Sequence, residues 1–372
     1  MGNAVRGWGL VFTGLLLCGC AGGRLASDSS GPGPFDRDAK NRHSRAGGNP
    51  RHAGDSTLLP IPAPAAVPYD AATTYAKLVK VYPFIRIADT RTSAETVTIG
   101  GIGFVDRGQR RLQLDLYLPA QAARDKGPLA AVVLVHGGGW RSGQRSNMAP
   151  LAARLAARGI AAAVIDYRLA GEARYPAAIH DVKAALRWMR ANSAAHGIDP
   201  QRIAVAGGSA GGQIASLAGV TNGMGRFDPD GAGSAVSSAA QAVINIDGLS
   251  DFTSAQARAH EDDPAKKPSA AGYWFGGSYA ELPGLWRDAS PTFYVGRHTP
   301  PMLFIGSAQA RFAAGREEMV EKLRAAGVAS RVVMLPGSPH SFWLFEPWID
   351  PTADAIAAFL HTHIPTTTRQ AP

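Results

Sequence analysis

Gly207-Gly208-Ser209-Ala210-Gly211 is the stretch on which the reading of this chain turns. It follows an apolar run at 203–206 with strand character and leads into 210–219, which has helix character. A serine between strand and helix sits on a sharp turn, and glycines must flank it where a Cβ would strike neighbouring backbone. Such a turn lifts the hydroxyl above the C-terminal edge of a sheet. The helix N-terminus beneath it favours developing negative charge. Ser209 is therefore the candidate nucleophile.

Upstream, His136-Gly137-Gly138-Gly139-Trp140 closes a second apolar run at 129–135. Consecutive glycines let main-chain N–H groups turn toward an oxyanion. The N–H groups of Gly138, Gly139 and Ala210 are the expected oxyanion hole, with His136 bracing the loop. Downstream, a strand at 331–335 leads through Pro336-Gly337-Ser338-Pro339 to His340, the candidate general base.

The acid that would orient His340 is harder to place. Its expected segment, after a strand at 302–305, reads Gly306-Ser307-Ala308-Gln309-Ala310-Arg311 and holds no carboxylate. Gln309 could orient an imidazole but could not stabilise an imidazolium. Asp247 ends Val243-Ile244-Asn245-Ile246, one strand nearer the elbow, and is the favoured acid. Asp251 and Glu317 remain open. Asp251 also reads as a turn residue in Leu249-Ser250-Asp251-Phe252, and Glu317 as a first-turn helix residue matched to the dipole.

Around these loops the pattern alternates between strand and helix. Stretches 97–104 and 112–118 form a hairpin about Asp106-Arg107-Gly108-Gln109. Buried strands at 129–135, 160–165, 203–206, 242–246, 301–305 and 331–335 are separated by helical stretches. One of these opens at Pro176 and places Ile179, Val182, Leu186 and Met189 on one face. The expected class is α/β: a mostly parallel sheet covered on both faces, with an antiparallel hairpin at one edge.

The chain has 372 residues, 45% hydrophobic and 18% charged, which suits one globular domain over 69–365 behind a non-globular leader. Arg6, the apolar stretch 8–17 and Leu17-Cys18-Gly19-Cys20 read as an export signal over 1–20. The last four residues resemble a bacterial lipoprotein box with Cys20 as the lipidated residue; an ordinary secretory signal is the alternative. Residues 21–68, rich in Pro and Gly, read as a disordered tether. The expected location is the periplasm or cell surface, lipid-anchored to a membrane.

Cys18 and Cys20 are the only cysteines, which leaves the domain without a disulfide framework, a thiol nucleophile or a cysteine metal site. His361 and His363 lack acidic partners, so neither metal nor cofactor is expected. The formal charge of +9 is scattered and comes with no recognition module, which argues against nucleic acid.

Taken together, the chain resembles bacterial carboxylesterases of the α/β-hydrolase superfamily, in the feruloyl-esterase-like and acetyl-xylan-esterase-like branch related to hormone-sensitive lipases. The matching stretches are His136–Trp140, Asp166-Tyr167-Arg168-Leu169, Tyr175-Pro176 with Asp181, and Gly207–Gly212. Trp274-Phe275-Gly276-Gly277, Ala289-Ser290-Pro291 and Pro339-His340 match as well. The resemblance implies Ser209 and His340 as catalytic, the glycine loop as oxyanion hole and Asp181 as structural. It departs from the family at the acid.

The expected substrate is a small-molecule or oligosaccharide ester, acetylated or feruloylated. Tyr273, Trp274, Phe275 and Trp286, with Phe342, Trp343, Phe345 and Trp348, are read mostly as core, with one or two near His340 lining the pocket. The rivals are a prolyl-oligopeptidase-like serine peptidase, for which no propeller precedes the domain, and a catalytically weak surface binding protein.

Overall fold

The computed structural model describes residues 68–90, 96–108, 110–120, 124–125, 127–266 and 268–365. The export signal, Cys20, residues 21–67 of the tether and Gln109 lie outside the described residues.

Eight strands form the central sheet: β2 (Thr96–Arg107), β3 (Arg110–Pro119), β4 (Leu129–Val135), β5 (Ala161–Ile165), β6 (Ile198–Gly208), β7 (Val243–Ile246), β8 (Met302–Gly306) and β9 (Ser330–Met334). Their spatial order is β2-β3-β5-β4-β6-β7-β8-β9. From β5 to β9 every neighbour is parallel; β3 runs antiparallel to β5, and β2 to β3. The expected hairpin is therefore present at one edge. Two short strands, β1 (Arg86–Ile87) and β10 (Phe345–Glu346), pair separately.

Parallel strands need crossover helices, and those helices cover both faces, so β4, β5, β7 and β8 are buried throughout. Alternate strand residues feed two cores. Val133, Val205 and Val243 face the helices Ala177–Ala191 and Ala210–Val220. Val132, Ala204 and Ile244 face Ala149–Ala157 and Ile349–His363. Ile179, Val182, Leu186 and Met189 are all fully buried. Burying one such side chain is worth about 1.5–3 kcal/mol.

One difference from expectation bears on the site. β6 starts at Ile198, five residues earlier than the apolar run suggests. Ile198 pairs with Leu129, then the register shifts before Ala131 meets Ile203. The polar stretch Asp199-Pro200-Gln201-Arg202 occupies the shift, and its polarity conceals the strand.

Candidate active site

β6 ends at Gly208 and a helix begins at Ala210, leaving Ser209 alone on the turn with φ 56° and ψ −123°. Non-glycine residues rarely hold a positive φ; the conformation is unfavourable by about 1–3 kcal/mol unless its surroundings fix it. Here they do: the Ser209 N–H donates to Ile246 O at 2.8 Å, and its carbonyl accepts from Gly212 N and Gln213 N at 2.9 and 3.1 Å. Gly211 lies so close to β4 that a Cβ there would collide with the Val135 carbonyl.

His340 follows β9 and reaches Ser209 directly, with Nε2 2.8 Å from Oγ. Its Nδ1 lies 3.0 Å from Asp247 Oδ2. Asp247, just beyond β7, also accepts the Ser307 N–H on Oδ1 at 2.9 Å. An ionised carboxylate only accepts, so this arrangement suits the tautomer with Nδ1 protonated and Nε2 free to accept from the serine. Burial pushes the His340 pKa below its ordinary value; Asp247 opposes that and Arg311 adds to it. The ring is therefore neutral at neutral pH.

The glycine loop after β4 packs against the elbow. Gly138 has φ 122°, and a Cβ there would collide with the Ser142 carbonyl. Gly138, Gly139 and Ala210 all line the cleft that holds Ser209. Their amides have no acceptor among the described residues. His136 braces the loop: its Nδ1 lies 2.8 Å from Gly137 O, and its ring stacks on Tyr167 at 4.3 Å. Burial holds its pKa down at about 4.

Asp251 and Glu317 stand apart from His340. Asp251 Oδ1 accepts from Thr253 N and Oγ1 at 2.7 and 2.8 Å, closing a turn. Glu317, largely exposed, accepts from Arg316. Asp181 is fully buried and joins Arg107 to Arg168, which ties the hairpin to the helix Ala177–Ala191.

The BD-FAE family model matches residues 114–312, more than half of the chain. The chain belongs to the BD-FAE family. This BD-FAE chain is similar to the esterases LipC and LipQ of Mycobacterium tuberculosis. It is 37% identical to LipC over 63% of this chain and 58% of LipC, and 33% identical to LipQ over 63% of this chain and 55% of LipQ. It thus spans little more than half the length of these relatives. A truncated carbohydrate esterase from gut microbiota superposes with TM-score 0.60 at 22% identity, covering 74% of this chain and all of that one. The fold is that of the α/β-hydrolases.

One expectation for this BD-FAE domain needs correction. None of the aromatic residues grouped from sequence lines the cleft. Trp274, Trp286, Phe342 and Phe345 are fully buried core, and Trp343 stands beneath the site, edge-on to His340 at 5.3 Å. These large rings are consumed in packing between the sheet and its covering segments. The rings at the cleft are Tyr69, Trp140 and Phe312 instead.

Phe312 stacks flat on His340, centroids 3.3 Å apart and planes within 7°. It lies in the segment after β8, which holds no carboxylate before Glu317. Tyr69 precedes the sheet and donates to Ser341 Oγ at 3.2 Å; burial pushes its pKa up to about 12. No local pattern marks either residue. The cleft encloses about 430 Å³ and also presents Lys77, Arg141, Glu261 and Arg311.

Proposed function

We propose that this chain is a serine carboxylester hydrolase that works through an acyl-enzyme on Ser209. The observation that carries the reading is the continuous relay Ser209 Oγ–His340–Asp247, at 2.8 and 3.0 Å, opening into a cleft lined by three amides that have no acceptor among the described residues. The names of LipC and LipQ support ester hydrolysis as the reaction.

In the first half-reaction His340 Nε2 takes the Ser209 proton as Oγ attacks the ester carbonyl. The carbonyl oxygen becomes an oxyanion held by the amides of Gly138, Gly139 and Ala210, each worth about 2.7–4 kcal/mol when such a donor is lost. Asp247 stabilises the imidazolium without taking its proton. The tetrahedral intermediate then collapses, and His340 returns the proton to the departing alcohol. In the second half-reaction His340 deprotonates a water, which attacks the acyl-enzyme and frees the acid.

Carbohydrate esters are the preferred substrate class. Tyr69 lines the cleft as a half-buried ring, and Arg141, Glu261 and Arg311 offer hydrogen bonds, a combination suited to a sugar. The export signal and lipidated Cys20 read in the sequence accord with such a substrate.

A fluorophosphonate probe tests the reading. Labelling of the wild type and its loss in Ser209→Ala are expected, together with hydrolysis of 4-nitrophenyl acetate. An unlabelled wild type that still bound acetylated oligosaccharides would favour the binding-protein alternative. Cleavage of a prolyl peptide but not of the esters would favour a peptidase.

A further inference from the structure

The loop that follows β8 holds no acid, because the carboxylate of the relay stands after β7. It holds Arg311 and Phe312 in its place. The Arg311 guanidinium lies 4.2 Å from the centre of the Phe312 ring, and that ring lies flat on His340. A cation is thus stacked, through one aromatic ring, onto the general base.

Arg311 is one of three cations at the cleft, with Arg141 and Lys77. Among the described residues, none of the three forms an ion pair, whereas Arg107, Arg145, Arg154, Arg158, Arg168 and Arg187 are each paired with a carboxylate. Among the described residues, two acids line the same cleft. Asp247 has both oxygens occupied, by His340 and the Ser307 amide. Glu261 lies within the electrostatic reach of Arg311 and Arg141 but beyond ion-pair distance, and burial raises its pKa. Three cations against these two acids leave the cleft net positive. A guanidinium presents its donors in a planar fork that matches a carboxylate.

We propose that the cleft selects esters bearing a carboxylate, which Arg311 and Arg141 bind while Ser209 attacks the ester carbonyl. This rests on the serine-esterase reading above and narrows its substrate class to acidic esters. The charge could sit on the acyl chain or on the sugar; the chemistry of recognition is the same.

Two matched pairs separate these sources: monomethyl adipate against methyl hexanoate, and an acetylated methyl glucuronide against the corresponding glucoside. At low salt the acidic member of one pair is expected to be favoured about tenfold in kcat/KM, equivalent to about 1.4 kcal/mol. The pair that shows it identifies the side carrying the charge. The preference should weaken at about 0.5 M NaCl, where screening acts over about 4 Å, and part of it should persist because charges in contact lie closer than that. Arg311→Gln and Arg141→Gln should each reduce the acidic-to-neutral ratio severalfold.

Arg311→Gln should also move the acid limb of neutral-ester hydrolysis to higher pH. Among the described residues, the groups facing His340 are Asp247, Ser209, Arg311 and the rings of Phe312 and Trp343, and Arg311 is the cation among them that opposes protonation. A wild type that takes fluorophosphonate and hydrolyses neutral esters, yet shows no acidic preference in either pair, would overturn this proposal alone. So would a ratio untouched by both substitutions. Absence of labelling and of hydrolysis would overturn both readings.

Discussion

Asp247 and Ser307 meet across two strands: the Ser307 amide, just beyond β8, donates to a carboxylate that stands just beyond β7, at 2.9 Å. The other carboxylate oxygen faces His340 at 3.0 Å. The loop after β8 therefore supplies the amide that aims the acid.

Asp247→Asn should lower kcat on 4-nitrophenyl acetate by about 10⁴-fold with little change in KM, because with Oδ1 held by the Ser307 amide the asparagine NH2 faces Nδ1, selects the wrong imidazole tautomer and leaves the imidazolium unstabilised. Asparagine suits the test, since Asp247 has φ 51° and asparagine tolerates positive φ. Thermal unfolding should stay close to wild type. Activity within a few fold of wild type would remove Asp247 from the relay.

The pH profile follows from His340. The ring must be neutral to accept the serine proton, and burial depresses its pKa below the ordinary 6.5. Activity is then lost as pH falls through that lowered value and is retained above it. A kcat/KM profile should keep more than half its maximum at pH 6.5. An acid limb centred above that pH contradicts the assignment.

Gly211→Ala tests the packing of the elbow. Its methyl would meet the Val135 carbonyl, and the obstacle is backbone that can move only with β4. A loss of about 1–3 kcal/mol or more in denaturant unfolding is expected. The turnover loss should exceed what reduced folding explains, because the Ser209 turn shifts with the helix.

His136 gives the stability a pH dependence. Its pKa falls from 6.5 to about 4 on folding, so in that window the unfolded chain binds a proton that the folded chain refuses. Stability is then lost as pH falls, by up to about 1.4 kcal/mol per pH unit from this residue. Urea midpoints measured between pH 7 and pH 4 should decline more steeply in wild type than in His136→Gln. Equal slopes would show the imidazole to be neutral to folding.

The elements that a short stretch can encode were legible in the sequence. The five residues around Ser209 specify a turn because glycine is required by local backbone contacts. The buried strands announce themselves as continuous apolar runs. Asp247 was legible as the residue ending a buried strand one position nearer the elbow, beside Asp251 and Glu317; its meeting with His340 depends on the register of Ile246 against Ile305, which no local pattern records. Phe312 sits in a short irregular segment without periodicity, and Tyr69 finds its partner 272 residues away. Such relationships become visible only once the strands are in order. The bulky rings were read mostly as core and are core; only the expectation that one or two of them line the pocket fails, since large apolar area draws a residue inward as readily as it draws a sugar.

Tyr69 also redraws the boundary of the working unit. The family match starts at residue 114 and the main sheet at Thr96, yet Tyr69 walls the cleft and is tied to Ser341, the neighbour of the base, while Asn147 holds its carbonyl at 2.8 Å. A shortened chain beginning at the sheet would keep Ser209 and lose one side of the vessel that surrounds it. A pull on the polypeptide ahead of Pro68 would likewise be felt one residue from the imidazole.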